Sequence, residues 1–392
     1  MHPHPVIHWT EKGQARSAHW RSERGAPPPK RVIIADDRTT ADQAYGLACQ
    51  GTALLWRGDF QNARQMLIAL GSRAGRKGRK PREPNESVAP SSQKSPAELF
   101  NLERQVQSQR ARTLGMLLVQ LEKDYGVALP RAPDVRQACT EAYGAPAGAS
   151  LVSLRELLGA IGAHEWRRNG VDIPEIGGRI HPHYGVFAPI RREYVELVLK
   201  APLPATSSVD LAFDIGTGTG VLAAVLARRG FRRVVATDQD PRALECARDN
   251  IGRLGLTQQV EVVQADLFPE GEAALVVCNP PWVPARPSSP LEHGIYDPES
   301  RMLHGFLRAL PAHLERGGEG WLILSDLAEH LGLRSRSELL AAFDAAGLKV
   351  VGRSDVRPTH PRASELSDPL YAARAAEVTS LWRLAALNET DG

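Results

Sequence analysis

Cysteine is scarce in this chain: Cys49, Cys139, Cys246 and Cys278 are its only four, and none belongs to a CxxC pair. That spacing argues against a disulfide framework and against a structural zinc site, and it fits a reducing compartment. Long apolar runs are also missing, since no stretch approaches the roughly 18–20 residues needed to cross a bilayer. The opening MHPHPVIHWTEKG lacks the apolar core of a signal peptide, so the expected location is the cytoplasm, with no membrane contact. What remains is ordinary for a folded protein: 42% of the 392 residues are hydrophobic and 24% are charged. That length suggests two domains, or one with a large extension.

Charge is unevenly divided. Residues 1–170 contain 25 Lys and Arg against 16 Asp and Glu, a balance of +9, whereas the remainder contains 23 against 29, a balance of −6. A basic half joined to an acidic half suggests a module that meets a polyanion, RNA above all, although well-solvated Arg-rich helices give the same balance. Residues 72–97, rich in Gly, Pro, Ser, Lys and Arg, are too polar to offset their ordering entropy and are expected to form a basic flexible linker. The N-terminal half is expected to be mostly helical on either side of it. Residues 1–71 form an α-rich segment with one short strand, VIIA at 32–35, and a helical stretch from Thr40 to Leu70. Over 98–180, Leu99, Leu102, Val106, Thr113, Leu117, Leu121 and Tyr125 recur at three- and four-residue steps, and a further helix is expected around Leu151–Trp166.

The pattern changes after about residue 180. VDLAFDI (209–215), RVVATD (233–238), VEVVQAD (260–266), ALVVCN (274–279) and GWLILS (320–325) alternate with helical stretches such as Val221–Arg229 and Pro241–Leu254. Asp240 as N-cap and Pro241 at the first helical position mark the second helix. Such alternation predicts a mainly parallel, doubly wound α/β sheet over 181–392. Asp214-Ile215-Gly216-Thr217-Gly218-Thr219-Gly220 follows the first of these strands and opens a helix. The glycines let the backbone turn sharply beside a ligand. The spacing is GxGxG, not the GxGxxG of dinucleotide sites. Asp214 precedes the loop, where a carboxylate suits an ammonium group better than a pyrophosphate. Asp238 and Asp266 close the next two strands, placed to accept from ribose hydroxyls and from an adenine amino group. Each aspartate alone reads equally well as a helix N-cap; three at successive strand ends beside a GxGxG loop argue for a nucleoside-bearing amino acid.

These residues resemble the class I S-adenosylmethionine (SAM)-dependent methyltransferases of the methyltransferase small domain type, from about Gly185 to Leu384. The resemblance implies a Rossmann-like, seven-stranded sheet whose last strand, Val378–Leu384, is antiparallel, with Leu348–Val351 beside it. It also implies that Asp214, Gly216, Thr217, Gly218 and Gly220 hold the methionine end of SAM, Asp238 the ribose and Asp266 the adenine, with Leu267 and Asn279 as further cofactor-binding residues. Gly185-Val186-Phe187-Ala188-Pro189 resembles a segment laid over the methionine moiety, although Phe187 also reads as core.

Asn279-Pro280-Pro281-Trp282 ends the fourth strand of the series. In a doubly wound sheet the first and fourth strands flank one crevice, so Asp214 and Asn279 are expected beside it. The Asn279 side-chain oxygen and the Pro280 carbonyl can accept from one planar NH2, Pro281 fixes the backbone, and Trp282 can stack on the group. Aiming that nitrogen at the methyl group is a matter of proximity and electrostatics. The tetrapeptide resembles the NPPY/F/W signature of amino-methyltransferases acting on adenine N6, guanine N2 or protein glutamine. The sequence leaves three readings open: N-methylation of RNA, most plausibly ribosomal; glutamine methylation of a ribosomal protein or release factor; and a non-catalytic SAM- and RNA-binding assembly factor. The intact NPPW argues against the last. Val283–Ser300, with His293, Tyr296 and Asp297, reads as a lid or as a plain surface connection. His181-Pro182-His183 is too small a set for a metal site, and Arg57-Gly58-Asp59 reads as coincidence. Oligomeric state has no signature in the sequence.

Overall fold

The computed structural model describes residues 5–77, 94–204, 209–358 and 368–387. The chain forms two units. Asn101–Glu165 joins the preceding N-terminal residues in the first, and Lys94–Phe100 joins the chain from Trp166 onward in the second.

The first unit contains β1 (Val6–Glu11), β2 (Gln14–Arg21), β3 (Arg31–Ala35), α1 (Ala41–Cys49), β4 (Thr52–Trp56) and α2 (Phe60–Lys77). It continues through α3 (Pro96–Leu114), β5 (Leu117–Leu121), α4 (Arg136–Tyr143), β6 (Ser150–Ser153) and α5 (Leu154–Asn169), the first and last of these helices crossing the unit boundary. The helices expected from periodicity are present, but they pack on a mixed six-stranded sheet in the order β1-β2-β6-β5-β4-β3, of which the sequence showed only β3. The stretch Thr40–Leu70 is two helices with β4 between them, and Leu117 and Leu121 lie on β5, not on the preceding helix. Both strands are buried on both faces. Leu54 and Trp56 enter one core with Phe60, Leu70 and Leu117, while Leu55 enters another with Trp9, Trp20 and Leu118. The segment expected to be a linker begins as helix, because α2 runs on to Lys77; residues 78–93 of it lie outside the described residues. Arg57-Gly58-Asp59 is structural: Arg57 pairs with Glu11, and Asp59 accepts from the Gln61 and Asn62 amides at the start of α2.

The second unit begins with the short hairpin β7 (Val171–Ile173) and β8 (Gly178–Ile180), followed by α6 (Glu193–Lys200). A β/α alternation then runs through β9 (Leu211–Ile215), α7 (Val221–Arg228), β10 (Arg233–Asp238), α8 (Pro241–Arg253), β11 (Val260–Gln264) and β12 (Ala273–Cys278). It ends with α9 (Arg301–Ala309), β13 (Leu314–Ser325), α10 (Leu327–His330), α11 (Arg336–Ala345), β14 (Leu348–Val356), α12 (Tyr371–Ala376) and β15 (Thr379–Ala386). The seven strands pair in the order β11-β10-β9-β12-β13-β15-β14; β15 is antiparallel to both neighbours and the other pairings are parallel. Asp240 caps α8 by accepting from the Arg242 amide, with Pro241 at its first position. Every residue of β12 is buried, as a central parallel strand covered on both faces requires. Its larger side chains each contribute about 1.5–3 kcal/mol by leaving water. Between β11 and β12 the chain crosses to the other side of β9, so a crevice opens where the carboxyl ends of β9 and β12 lie side by side. Among the described residues no helix is long and apolar enough to cross a membrane.

Candidate active site

Asp214 pairs with Val277, and Ile215 with Cys278, so the glycine loop and the NPPW turn leave the sheet as neighbours. Gly216 and Gly220 adopt φ values of 71° and 83°, in the left-handed region where a side chain is strained. Space is tight as well: a Cβ on Gly216 would come within 2.5 Å of Met302 Cε and displace the end of that flexible side chain, and one on Gly220 would press within 3.3 Å of Ala247 Cα. Thr217 locks the turn, its amide donating to the Thr237 carbonyl at 2.8 Å.

Asp214 is only 1% exposed. Its Oδ2 accepts from Thr217 Oγ1 at 2.6 Å and from the Ala223 amide at 2.9 Å, while its buried Oδ1 has no hydrogen-bond partner. Burial, with a smaller contribution from the charge of Asp238, pushes its carboxyl up to about 6. Asp238 closes β10 with Oδ2 accepting from the Gly218 amide and Oδ1 from the Asp240 amide, both at 3.0 Å. Burial raises its carboxyl above the ordinary value as well. Asp266 is exposed just after β11. Leu267 beside it holds φ at 71°, and its carbonyl accepts from Thr237 Oγ1.

At the end of β12 the arrangement differs from a pair of open acceptors. Asn279 Oδ1 accepts from Trp282 Nε1 at 2.8 Å, so the tryptophan offers its N–H as well as its ring. Among the described residues no donor reaches the Pro280 carbonyl. Pro280 is buried and Pro281 partly so, and Trp282 packs against both faces of the sheet core. Phe187 is 38% exposed, with its ring against Gly294 in the loop after the motif.

That loop is an anchored element. Val283 bridges to Tyr296, and the Asp297 amide donates to the Val283 carbonyl at 2.9 Å. The buried Asp297 carboxylate accepts from the Met302 and Leu303 amides, both at 3.1 Å. Glu299 and Ser300 both hold positive φ, a strained pair that carries Met302 over Gly216. Sequence reasoning missed Met302, Arg191 and Glu377. Only the Asp297-Pro298 pair, a helix-start signal, could have drawn attention to the first. His181 and His183 secure the segment before α6: His183 Nε2 lies 3.2 Å from Asp249 Oδ2, and the His181 amide donates to Asn250 Oδ1.

The family model of the methyltransferase small domain matches residues 177–346. Those residues form a methyltransferase small domain. SAM is the cofactor that the resemblance implies for such a domain. The residues present fit it: the unpartnered Oδ1 of Asp214 suits an ammonium group, and the side-chain-free glycine loop admits close backbone approach. Among curated relatives, the ribosomal protein L11 methyltransferase of Pelotomaculum thermopropionicum is 51% identical over 69 residues, covering 17% of this chain and 22% of the relative. The L11 methyltransferase of Tolumonas auensis is 32% identical over 118 residues, covering 30% and 40%. The release factor glutamine methyltransferase of Cereibacter sphaeroides is 31% identical over 150 residues, covering 34% and 51%. The chain thus spans between about a fifth and about half of the length of these relatives.

Proposed function

We propose that the protein transfers the methyl group of SAM to a planar amino nitrogen of an RNA base, ribosomal RNA foremost. The observation that carries this reading is the Asn279-Pro280-Pro281-Trp282 turn at the end of β12, directly beside the glycine loop. SAM supplies a methyl group bound to a positively charged sulfur. Asp214 would pair with the amino-acid end of the ligand, the loop from Gly216 through Thr217 and Gly218 to Gly220 would follow its backbone, and Asp238 would accept from the ribose. Asp266 and Leu267 border the adenine, and Phe187 closes the methionine side. Asn279 Oδ1 and the Pro280 carbonyl then accept the two hydrogens of the target amine. That arrangement turns the nitrogen lone pair toward the methyl carbon while Trp282 stacks on the flat acceptor. Bound there, SAM would supply an electrophilic methyl carbon, and the turn would hold the acceptor nitrogen in line with it. Asn279 Oδ1 already accepts from the Trp282 N–H, and its second lone pair remains for the amine.

The +9 balance of residues 1–170 supports RNA as the acceptor. A second reading, methylation of a protein glutamine in a translation-related substrate, is supported by relatives named as ribosomal protein and release factor methyltransferases. Both acceptors present a planar NH2. The deciding experiment incubates the protein with methyl-labelled SAM and bacterial lysate, then treats the product with RNase or protease. Label released by RNase supports the first reading, and label released only by protease replaces it with the second. No label in either fraction would favour a non-catalytic assembly factor.

A further inference from the structure

Tyr184–Arg191, the segment leading into α6, touches both sides of the cleft. The Arg242 guanidinium in the first turn of α8 lies 5.8 Å from the Tyr184 ring centre. Phe187 rests on Gly294, where a Cβ would come within 2.8 Å of the Phe187 Cβ. Arg191 reaches the NPPW turn, its guanidinium carbon 5.1 Å from the centre of the Trp282 ring. Behind it, Arg191 Nη2 donates to Glu377 Oε1 at 2.9 Å, and the same oxygen accepts from Ser325 Oγ at 2.7 Å. The Glu377 side chain is 5% exposed and that of Arg191 is 23% exposed, so a buried carboxylate fixes a guanidinium whose other face covers the tryptophan. On its far edge the tryptophan donates to Asn279 Oδ1. The series Glu377, Arg191, Trp282, Asn279 therefore ends on the oxygen assigned to the acceptor amine.

A cation held over an indole favours one ring plane, and the contact strengthens as water is excluded. The hydrogen bond to Glu377 keeps the guanidinium in place over the ring. We propose that Arg191 is a positioning residue for methyl transfer: anchored by Glu377, it holds the Trp282 indole and so fixes the Asn279 oxygen, to which that indole donates, in the orientation the acceptor meets. The inference rests on the reading of NPPW as the acceptor site. Arg191 touches neither Asn279 nor the glycine loop in the contacts described, so its effect runs through Trp282.

The test uses the full-length protein labelled with 15N-tryptophan, with the Trp282 indole N–H resonance identified by its loss in Trp282→Phe. In Arg191→Ala that resonance should shift and exchange faster with solvent, while Arg191→Lys, which keeps a cation, should restore most of its protection. Glu377→Gln should move it the same way by less. SAM affinity by calorimetry should be unchanged in Arg191→Ala, with the KM for lysate RNA raised roughly tenfold, the scale of one cation–π contact. A Trp282 resonance unchanged in position and exchange in Arg191→Ala overturns the proposal, as does a loss of SAM affinity that matches the loss of activity. A response of the resonance with no labelled product in any lysate fraction supports the Arg191–Trp282 contact and counts against the enzymatic reading alone.

Discussion

Asp214 makes a pH-dependent prediction. Its carboxyl lies at about 6 in the folded protein, against ~3.9 for an unperturbed aspartate. The folded chain therefore binds this proton more tightly than the unfolded chain does. The stability involved is present in full below pH ~4 and is lost as pH rises through about 6, a cost of about 3 kcal/mol near neutrality. An ammonium group at Oδ1 reverses the balance, because it favours the ionised form. SAM affinity should therefore fall on acidification, by about tenfold between pH 7 and pH 5 when the group titrates at about 6. The window stops short of pH ~8, where an α-amino group begins to lose its own proton. Calorimetric titration of SAM at pH 5, 6 and 7 measures the effect, with Asp214→Asn as the comparison. That variant can still accept from Thr217 and Ala223, but it carries no charge. Its SAM affinity should be low and flat across the window, and it should melt no lower than the wild type at pH 7. A tenfold ratio that persists in Asp214→Asn would assign the titration to another group and refute the reasoning.

Other substitutions separate cofactor binding from acceptor positioning. Asp238→Ala should weaken SAM binding about ten- to a hundredfold, the loss of a charged hydrogen bond, and part of that loss should arise because the Gly218 amide is also released; unchanged affinity with a normal melting curve would remove Asp238 from the site. Asn279→Ala should leave SAM affinity near normal and lower turnover by at least about a hundredfold, and activity within a few-fold of wild type would show that the amine is held elsewhere. Changing Arg76, Lys77, Arg79, Lys80 and Arg82 to Gln should flatten the slope of log RNA affinity against log salt by about 0.7–0.9 per lost phosphate contact, with SAM binding unaffected. Arg73 is left out of that set because it already pairs with Asp42; an equally steep slope after neutralisation would point to a linker or a protein contact.

The second unit was legible because its strands are short apolar runs separated by strong punctuation: glycines after β9, the Asp240-Pro241 helix start after β10, and Asn-Pro-Pro after β12. The first unit was not, for a physical reason. β4 and β5 send successive side chains into two different cores, so they lack the alternation that betrays a half-buried strand. Without it, three- and four-residue steps in the flanking helices extend through them. The chain did carry the correction. Gly51, at φ 77°, follows the end of α1, and Gly115 follows α3; a glycine one or two residues past a helix marks its end. Within the site, aspartates at strand ends could be read because each sits at a fixed offset from its own strand. Arg191 and Glu377 are 186 residues apart, and no local pattern joins them.

Trp282 shows where residue type and geometry carry different information. From the sequence, the fourth position of the motif supplied a flat ring and did not separate nucleic-acid acceptors from protein ones. Geometry adds the indole N–H. A partly buried carbonyl oxygen without a donor is costly, and Trp282 gives Asn279 one at 2.8 Å. Phenylalanine at this position would supply the ring without a donor, leaving the oxygen to water until an acceptor arrived. With tryptophan, one lone pair of that oxygen is held by an indole that Arg191 covers, and the other is left free. On the reading of NPPW as the acceptor site, the fourth residue would set the direction from which Asn279 accepts, whether the planar amine belongs to a base or to an amide.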